Sequence, residues 1–193
     1  MINNNLNVVI LAYSRYSCLV KVVEACCAYV SKIKVVIDFP KTERIAKEQD
    51  RIINFLESID IECVIKRRQE NYGLARSVLT TIQDELRTND HIILLEDDCV
   101  PLEGFFSFMS KNLQEYEDDK NISSICGTIT RCRFNPWAWA TWKNKWNYKR
   151  MSKEDVLNIK NLDESLRMFL NNDRVEESIW SLAWLAYQYE NNV

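Results

Sequence analysis

The sequence predicts an α/β fold with a mostly parallel central sheet flanked by helices. Three observations carry this. Short β-rich runs alternate with helical patterns over the first hundred residues. Several of those runs are apolar without interruption, as in "VVILAY" and "HIILL", which suits strands covered on both faces of a parallel sheet. The chain has 193 residues, 47% hydrophobic and 27% charged, enough for one domain with a sizeable core.

The elements follow in order. Val8 to Tyr13 is the first strand. Ser17 to Val30 places Leu19, Val22, Val23, Cys26, Cys27 and Val30 at helical spacing. Ile33 to Phe39 is the second strand, stopped by Pro40. Thr42 is placed to cap a helix whose stripe is Ile45, Ile52, Ile53, Leu56 and Ile59. Glu62 to Lys66 is the third strand, and Leu74 to Leu86 a helix with Val78, Leu79 and Ile82 inward. Ile92 to Leu95 is the fourth strand. Phe105 to Tyr116 reads as a helix and Ile122 to Ile129 as a returning strand. The texture then changes: "FNPWAWATWKNKW" holds four tryptophans within Phe134 to Trp146. Ser152 and Asp155 fit a capping box. Glu176 to Glu190 is the last helix, with Trp180, Trp184 and Tyr187 on one face. "YENNV" carries no end signal, so the natural chain is expected to continue.

Composition excludes several function classes. The net charge is -3 and no dense Lys/Arg cluster exists, so no nucleic-acid partner is expected. No run of about 18 apolar residues occurs, so no transmembrane segment is expected. The start "MINNNLNVVILAYS" lacks the charged and cleavage regions of a signal peptide and reads as a polar lead-in to a strand, while the scattered, odd-numbered cysteines predict a reducing cytoplasm. Seven cysteines without a CxxC, and one histidine, argue against disulfides and structural zinc. With three glycines the chain holds neither a P-loop nor a GxGxxG cradle. His91 begins the fourth strand, away from the strand ends that bind ligands, and is expected to be merely solvated.

The chemistry gathers where strands end. In an open parallel sheet, ligands bind beyond the C-terminal ends of the strands. The first strand ends in Tyr13-Ser14-Arg15, the second at Asp38, and the third leads to Asn71, Gly73 and Arg76 of "RRQENYGLAR". The fourth runs into Glu96-Asp97-Asp98 of "HIILLEDDCVP". Three adjacent carboxylates repel unless the strand end is fully wet or a cation shares the site. Alternation along an extended chain puts Glu96 and Asp98 on one side, both possible ligands of Mg2+ or Mn2+. Arg15 and Arg76 are candidates for holding phosphate.

These segments resemble the nucleotide-sugar glycosyltransferases of the GT-A type, over roughly Asn7 to Tyr189. "LLEDDCVPLEGFFSFM" resembles the acidic segment of inverting enzymes such as N-acetylglucosaminyltransferase I and of bacterial family 2-like enzymes. "VVILAYSR", "VVIDFPKTE", "NYGLARSV" and "NPWAWATWKNKW" resemble four further segments of that family. The resemblance implies a GT-A (nucleotide-diphospho-sugar transferase) fold in one domain over residues 1–193. Residues 7–100 would form its nucleotide-binding half and 101–193 its acceptor-side half.

The implied activity is metal-dependent, inverting transfer from a nucleotide-sugar, a UDP-sugar, to a saccharide or glycoconjugate acceptor. Polysaccharide biosynthesis at the inner face of the membrane is the implied setting. Arg15 would contact the diphosphate and Asp38 the uracil, with Tyr13, Asn71 and Arg76 lining the nucleotide pocket. Asp98 would bind the cation, while Glu96 and Asp97 hold ribose and sugar. Four tryptophans in so short a span are expected mainly as core, and at least one of the box, Trp139 or Trp142, could still line the sugar site. The family carries its base as an aspartate beside a tryptophan in a late helix. Here "VEESIWSLAW" puts serines in those slots, and Glu177 is the candidate. Two other readings stay open. A sugar nucleotidyltransferase would need a glycine-rich loop where "AYSRYSCL" stands, and a nucleotide-sugar-binding fragment would bind without turnover.

Overall fold

The structure is a computed structural model that describes residues 5–128, 134–147 and 153–159, together with Glu164, Arg167, Ser181, Trp184 and Gln188. The strands are β1 (Val8–Ala12), β2 (Lys32–Ile37), β3 (Glu62–Arg67), β4 (His91–Glu96), β5 (Ile125–Cys126) and β6 (Trp139–Trp142). The helices are α1 (Tyr16–Cys27), α2 (Glu43–Glu57), α3 (Gly73–Thr88), α4 (Phe105–Glu115) and α5 (Lys153–Leu157).

The strands form one sheet in the order β3-β2-β1-β4-β6-β5. Pairings among β3, β2, β1 and β4 are parallel, and β6 joins β4 and β5 antiparallel. All five residues of β1 are buried. Val8 and Ile10 face a core completed by Leu19 and Val22 of α1, Ile52 and Leu56 of α2, and Phe106 and Met109 of α4. Val9 and Leu11 face the other core, with Val78 and Ile82 of α3, Trp139 and Trp184. The uninterrupted apolar runs are thus explained by burial on both faces. The chain moves outward from β1 to β3, then crosses back through α3 to β4 on the other side of β1. That reversal opens a crevice beyond the C-terminal ends of β1 and β4.

Local expectations mostly match. The Thr42 side chain accepts the Ile45 N–H at 3.3 Å and caps α2. Within the expected strand Ile122 to Ile129, only Ile125–Cys126 is a strand, and Ile129 lies outside the described residues. Ser152, Trp180 and Tyr187 also lie outside them. Trp184 is fully buried, as the amphipathic last helix requires. The six described cysteines are free thiols, and burial pushes Cys26 up to about 12 and Cys63 up to about 11. Among the described residues, no helix is long and apolar enough to cross a membrane.

Trp139 and Trp142 of the tryptophan box are core, the first of the two readings. The box contains β6, an interior strand paired on both edges and buried along its length. Trp139 and Trp142 are 0% and 2% exposed, so neither lines a sugar site. Trp139 meets Phe134 edge-on at 4.7 Å, and Trp146 meets Trp184 at 4.5 Å. The Trp142 indole N–H donates to the Leu113 carbonyl at 2.9 Å, tying β6 to α4. His91 departs from simple solvation. It is half-buried, its Nε2 accepts the Asn7 N–H at 3.4 Å, and burial lowers its pKa.

Candidate functional site

A cavity of about 250 Å³ occupies the crevice at the β1/β4 switch. Tyr13, Arg15, Asp38, Asn71, Glu96 and Asp97 all line it, so the parallel topology brings together residues that are far apart in the chain. Lys41 and Gly73 line it as well.

The acidic end is built around Asp97. β4 stops at Glu96, and a turn closed by the Cys99 N–H on the Glu96 carbonyl (3.0 Å) carries Asp97 and Asp98. Regular strand geometry therefore ends at Glu96, and Asp97 and Asp98 sit in the turn, with the Asp98 charge close enough to act on Glu96. Asp97, 2% exposed, accepts the Tyr13 N–H at 3.3 Å and is ion-paired with Arg15. The other arm of that guanidinium holds Asp98 at 2.5 Å. Burial raises the pKa of Asp97, with Arg15 opposing, and burial followed by the Asp98 charge raises that of Glu96. Burial works against the Arg15 charge, yet its bonds to Asp97 and Asp98 hold its pKa above the ordinary value. Among the described residues, no three His, Cys, Asp or Glu side chains converge as a metal site.

The opposite end is built around Asp38. This carboxylate is 7% exposed and accepts three backbone N–H groups: Phe39 at 3.0 Å, Tyr72 at 2.8 Å and Gly73 at 2.9 Å. It therefore caps the N-terminus of α3, where the helix dipole favours negative charge and no side chain of the Ncap residue helps. Gly73 (φ 68°) supplies the left-handed backbone that brings its N–H round. The Asn71 amide donates to the Phe39 carbonyl at 2.7 Å.

Two residues here escape sequence reasoning. Buried Gln49 donates to the carbonyls of Tyr13 (2.9 Å) and Asp38 (2.8 Å), locking the β1 and β2 ends together. Its only signal is a polar residue on the inner side of the α2 stripe. Lys41 donates its backbone N–H to the Tyr13 hydroxyl at 3.2 Å. Its signal is closeness to Asp38 just past a strand end.

Arg76 is not brought into the cavity. It lies 3.8 Å over the Tyr72 ring and pairs with Glu70 at 2.8 Å, because the first turn of α3 points it to solvent. Glu177 lies outside the described residues.

Comparison with known proteins agrees with this architecture. Residues 7–178 match the family model for glycosyl transferase family 2. The crystal structure of S. aureus TarS, residues 1–349, shares the fold at TM-score 0.50 and 9% identity. That match covers 96% of this chain and 55% of the TarS chain, so this chain spans about half its length. No curated relative matches. With an α/β GT-A fold, a cavity at the switch point, and a family match along most of its length, this chain belongs to glycosyl transferase family 2.

Proposed function

We propose that the chain transfers a hexosyl or N-acetylhexosaminyl unit from a UDP-sugar to a saccharide or glycoconjugate acceptor, with inversion and with Mn2+ or Mg2+. The observation that carries this is one cavity lined by Asp38, Arg15 and Asp97, with Asp98 bound to the same Arg15 guanidinium outside the lining. Its ends match the two ends of a nucleoside diphosphate. Asp38 is a firmly held acceptor for a base N–H. Arg15 presents a fork of donors that suits phosphate oxygens.

The donor set fits a hard divalent cation of the kind that keeps waters and binds through one or two carboxylates plus substrate phosphates. Asp98, half exposed and paired with the lining Arg15, would hold it, with Glu96 and Asp97 reserved for ribose and sugar. When bound, such a cation stabilises the leaving diphosphate as a Lewis acid. Arg15 would turn its donors from the carboxylates to the diphosphate while the cation takes over the carboxylate charge. Tyr13 and Asn71 shape the nucleotide wall. A carboxylate must take the acceptor proton, and Glu177 is our candidate from sequence. The reading extends to a single domain over residues 1–193, an N-acetylglucosaminyltransferase I-like subtype, and work in polysaccharide synthesis at the inner membrane face.

Calorimetry with UDP, with and without Mn2+, tests the reading on the wild type and Asp98→Ala. The expected result is Mn2+-dependent affinity that Asp98→Ala loses. Equal, metal-independent affinities would sink it. A donor-turnover assay distinguishes transfer from binding alone.

A further inference from the structure

Trp137 is 59% exposed, while Trp139, Trp142 and Trp184 are buried. Its exposure is built in by the backbone. The next residue, Ala138, has φ 52°, the only positive φ at a non-glycine among the described residues. A residue with a Cβ occupies that region at a cost, and does so where its surroundings leave it no alternative. Here two contacts hold the turn. The Trp137 N–H donates to Asn135 Oδ1 at 3.0 Å, and the Gly127 N–H donates to the Ala138 carbonyl at 2.7 Å.

The register shows where the turn points. Trp139 pairs with Leu94 at the antiparallel β4–β6 ladder. β6 runs antiparallel to β4, so the turn just before Trp139 lies at the same edge of the sheet as the end of β4 and the carboxylates that follow it. An exposed indole is therefore held on a strained turn at the sheet edge that carries the carboxylates. Val100 and Leu102, exposed at 44% and 78%, follow the carboxylates in the chain.

We propose that Trp137 is a stacking platform for a pyranose ring beside the carboxylates. This rests on the glycosyltransferase reading above, in which two sugars must meet at this edge. A flat aromatic face packs against the C–H face of a sugar, while the indole N–H remains free to meet a hydroxyl. The ring is that of the donor sugar or of the acceptor, and the chemistry is the same for both.

The test is saturation-transfer NMR with the methyl β-glycosides of glucose, galactose and N-acetylglucosamine. It uses wild type, Trp137→Phe and Trp137→Ala, with UDP affinity measured in parallel. We expect transfer to the ring C–H protons of at least one glycoside in wild type, weakened in Trp137→Phe and reduced at least fivefold in Trp137→Ala. UDP affinity stays within twofold across the three proteins. Displacement of the glycoside by UDP-glucose but not by UDP identifies the donor ring, and persistence with UDP-glucose identifies the acceptor. A wild type that binds UDP but saturates none of the glycosides overturns the proposal, as does a signal that survives in Trp137→Ala. Failure to bind UDP sinks the glycosyltransferase reading instead, and the glycoside signal still decides the role of Trp137.

Discussion

Arg15 Nη1 lies 2.5 Å from Asp98 Oδ2, across 83 residues of sequence, while the other arm of the same guanidinium holds buried Asp97. One cation thus bridges two adjacent carboxylates and offsets one of their charges. This is part of the answer to the electrostatic question that three consecutive acids at a strand end raise.

Removing that cation leaves Asp97 buried beside like charges. Arg15→Ala is expected to destabilise the fold by about 1–2 kcal/mol, at the lower end for a broken buried pair because Arg15 is half exposed. It should also weaken UDP binding more than tenfold. Arg15→Lys restores charge but not the fork, so stability should recover further than affinity. Urea unfolding and calorimetry measure the two effects separately.

Asp38 combines a structural task with its proposed binding role. Its two oxygens accept three N–H groups, and an amide offers one oxygen only. Asp38→Asn must therefore turn an NH2 toward at least one backbone donor at the start of α3. The expected loss is about 1–3 kcal/mol in chemical unfolding, together with loss of UDP affinity. Unchanged stability would contradict the capping role.

Gly127 packs where no side chain fits. A Cβ there would lie 2.5 Å from Phe105 Cε2 and 2.6 Å from the Ala138 carbonyl oxygen. The ring can turn aside, but the β6 backbone cannot easily do so. Gly127→Ala is expected to cost about 1–3 kcal/mol by overpacking. A lower melting temperature, with a displaced Trp137 turn in a crystal structure of the variant, is the expected outcome.

At the opposite end of the sheet, His91 gives a pH dependence with a definite sign. Burial lowers its pKa below the ordinary value of 6.5. The unfolded chain therefore binds this proton first. Stability present above about pH 6.5 is lost as pH falls toward the folded value. His91→Gln should show a smaller drop in melting temperature between pH 7.5 and 5.0 than the wild type. An equal drop would rule out this contribution.

Much of the site was legible because a parallel sheet aligns its strand ends. Tyr13, Arg15, Asp38, Glu96 and Asp97 each follow an apolar run, and all line one cavity. Arg76 misled because it sits in a promising segment, yet a helical first turn decides which way a side chain faces. Lys41 and Gln49 carried too little signal, since one sits in a loop and the other on a helix flank.

What the sequence determined by itself is the sheet and its active edge. Uninterrupted apolar runs demand cover on both faces, and that demand implies the alternating helices and the carboxylates at a strand end. What only the tertiary structure decided is which residues meet. Burial of an aromatic depends on what packs over it, so the box with one exposed, one half-buried and two buried tryptophans looked uniform as a string. The partner of Arg15 likewise depends on the β1–β4 pairing, which closes 83 residues of chain into a single ion-pair cluster.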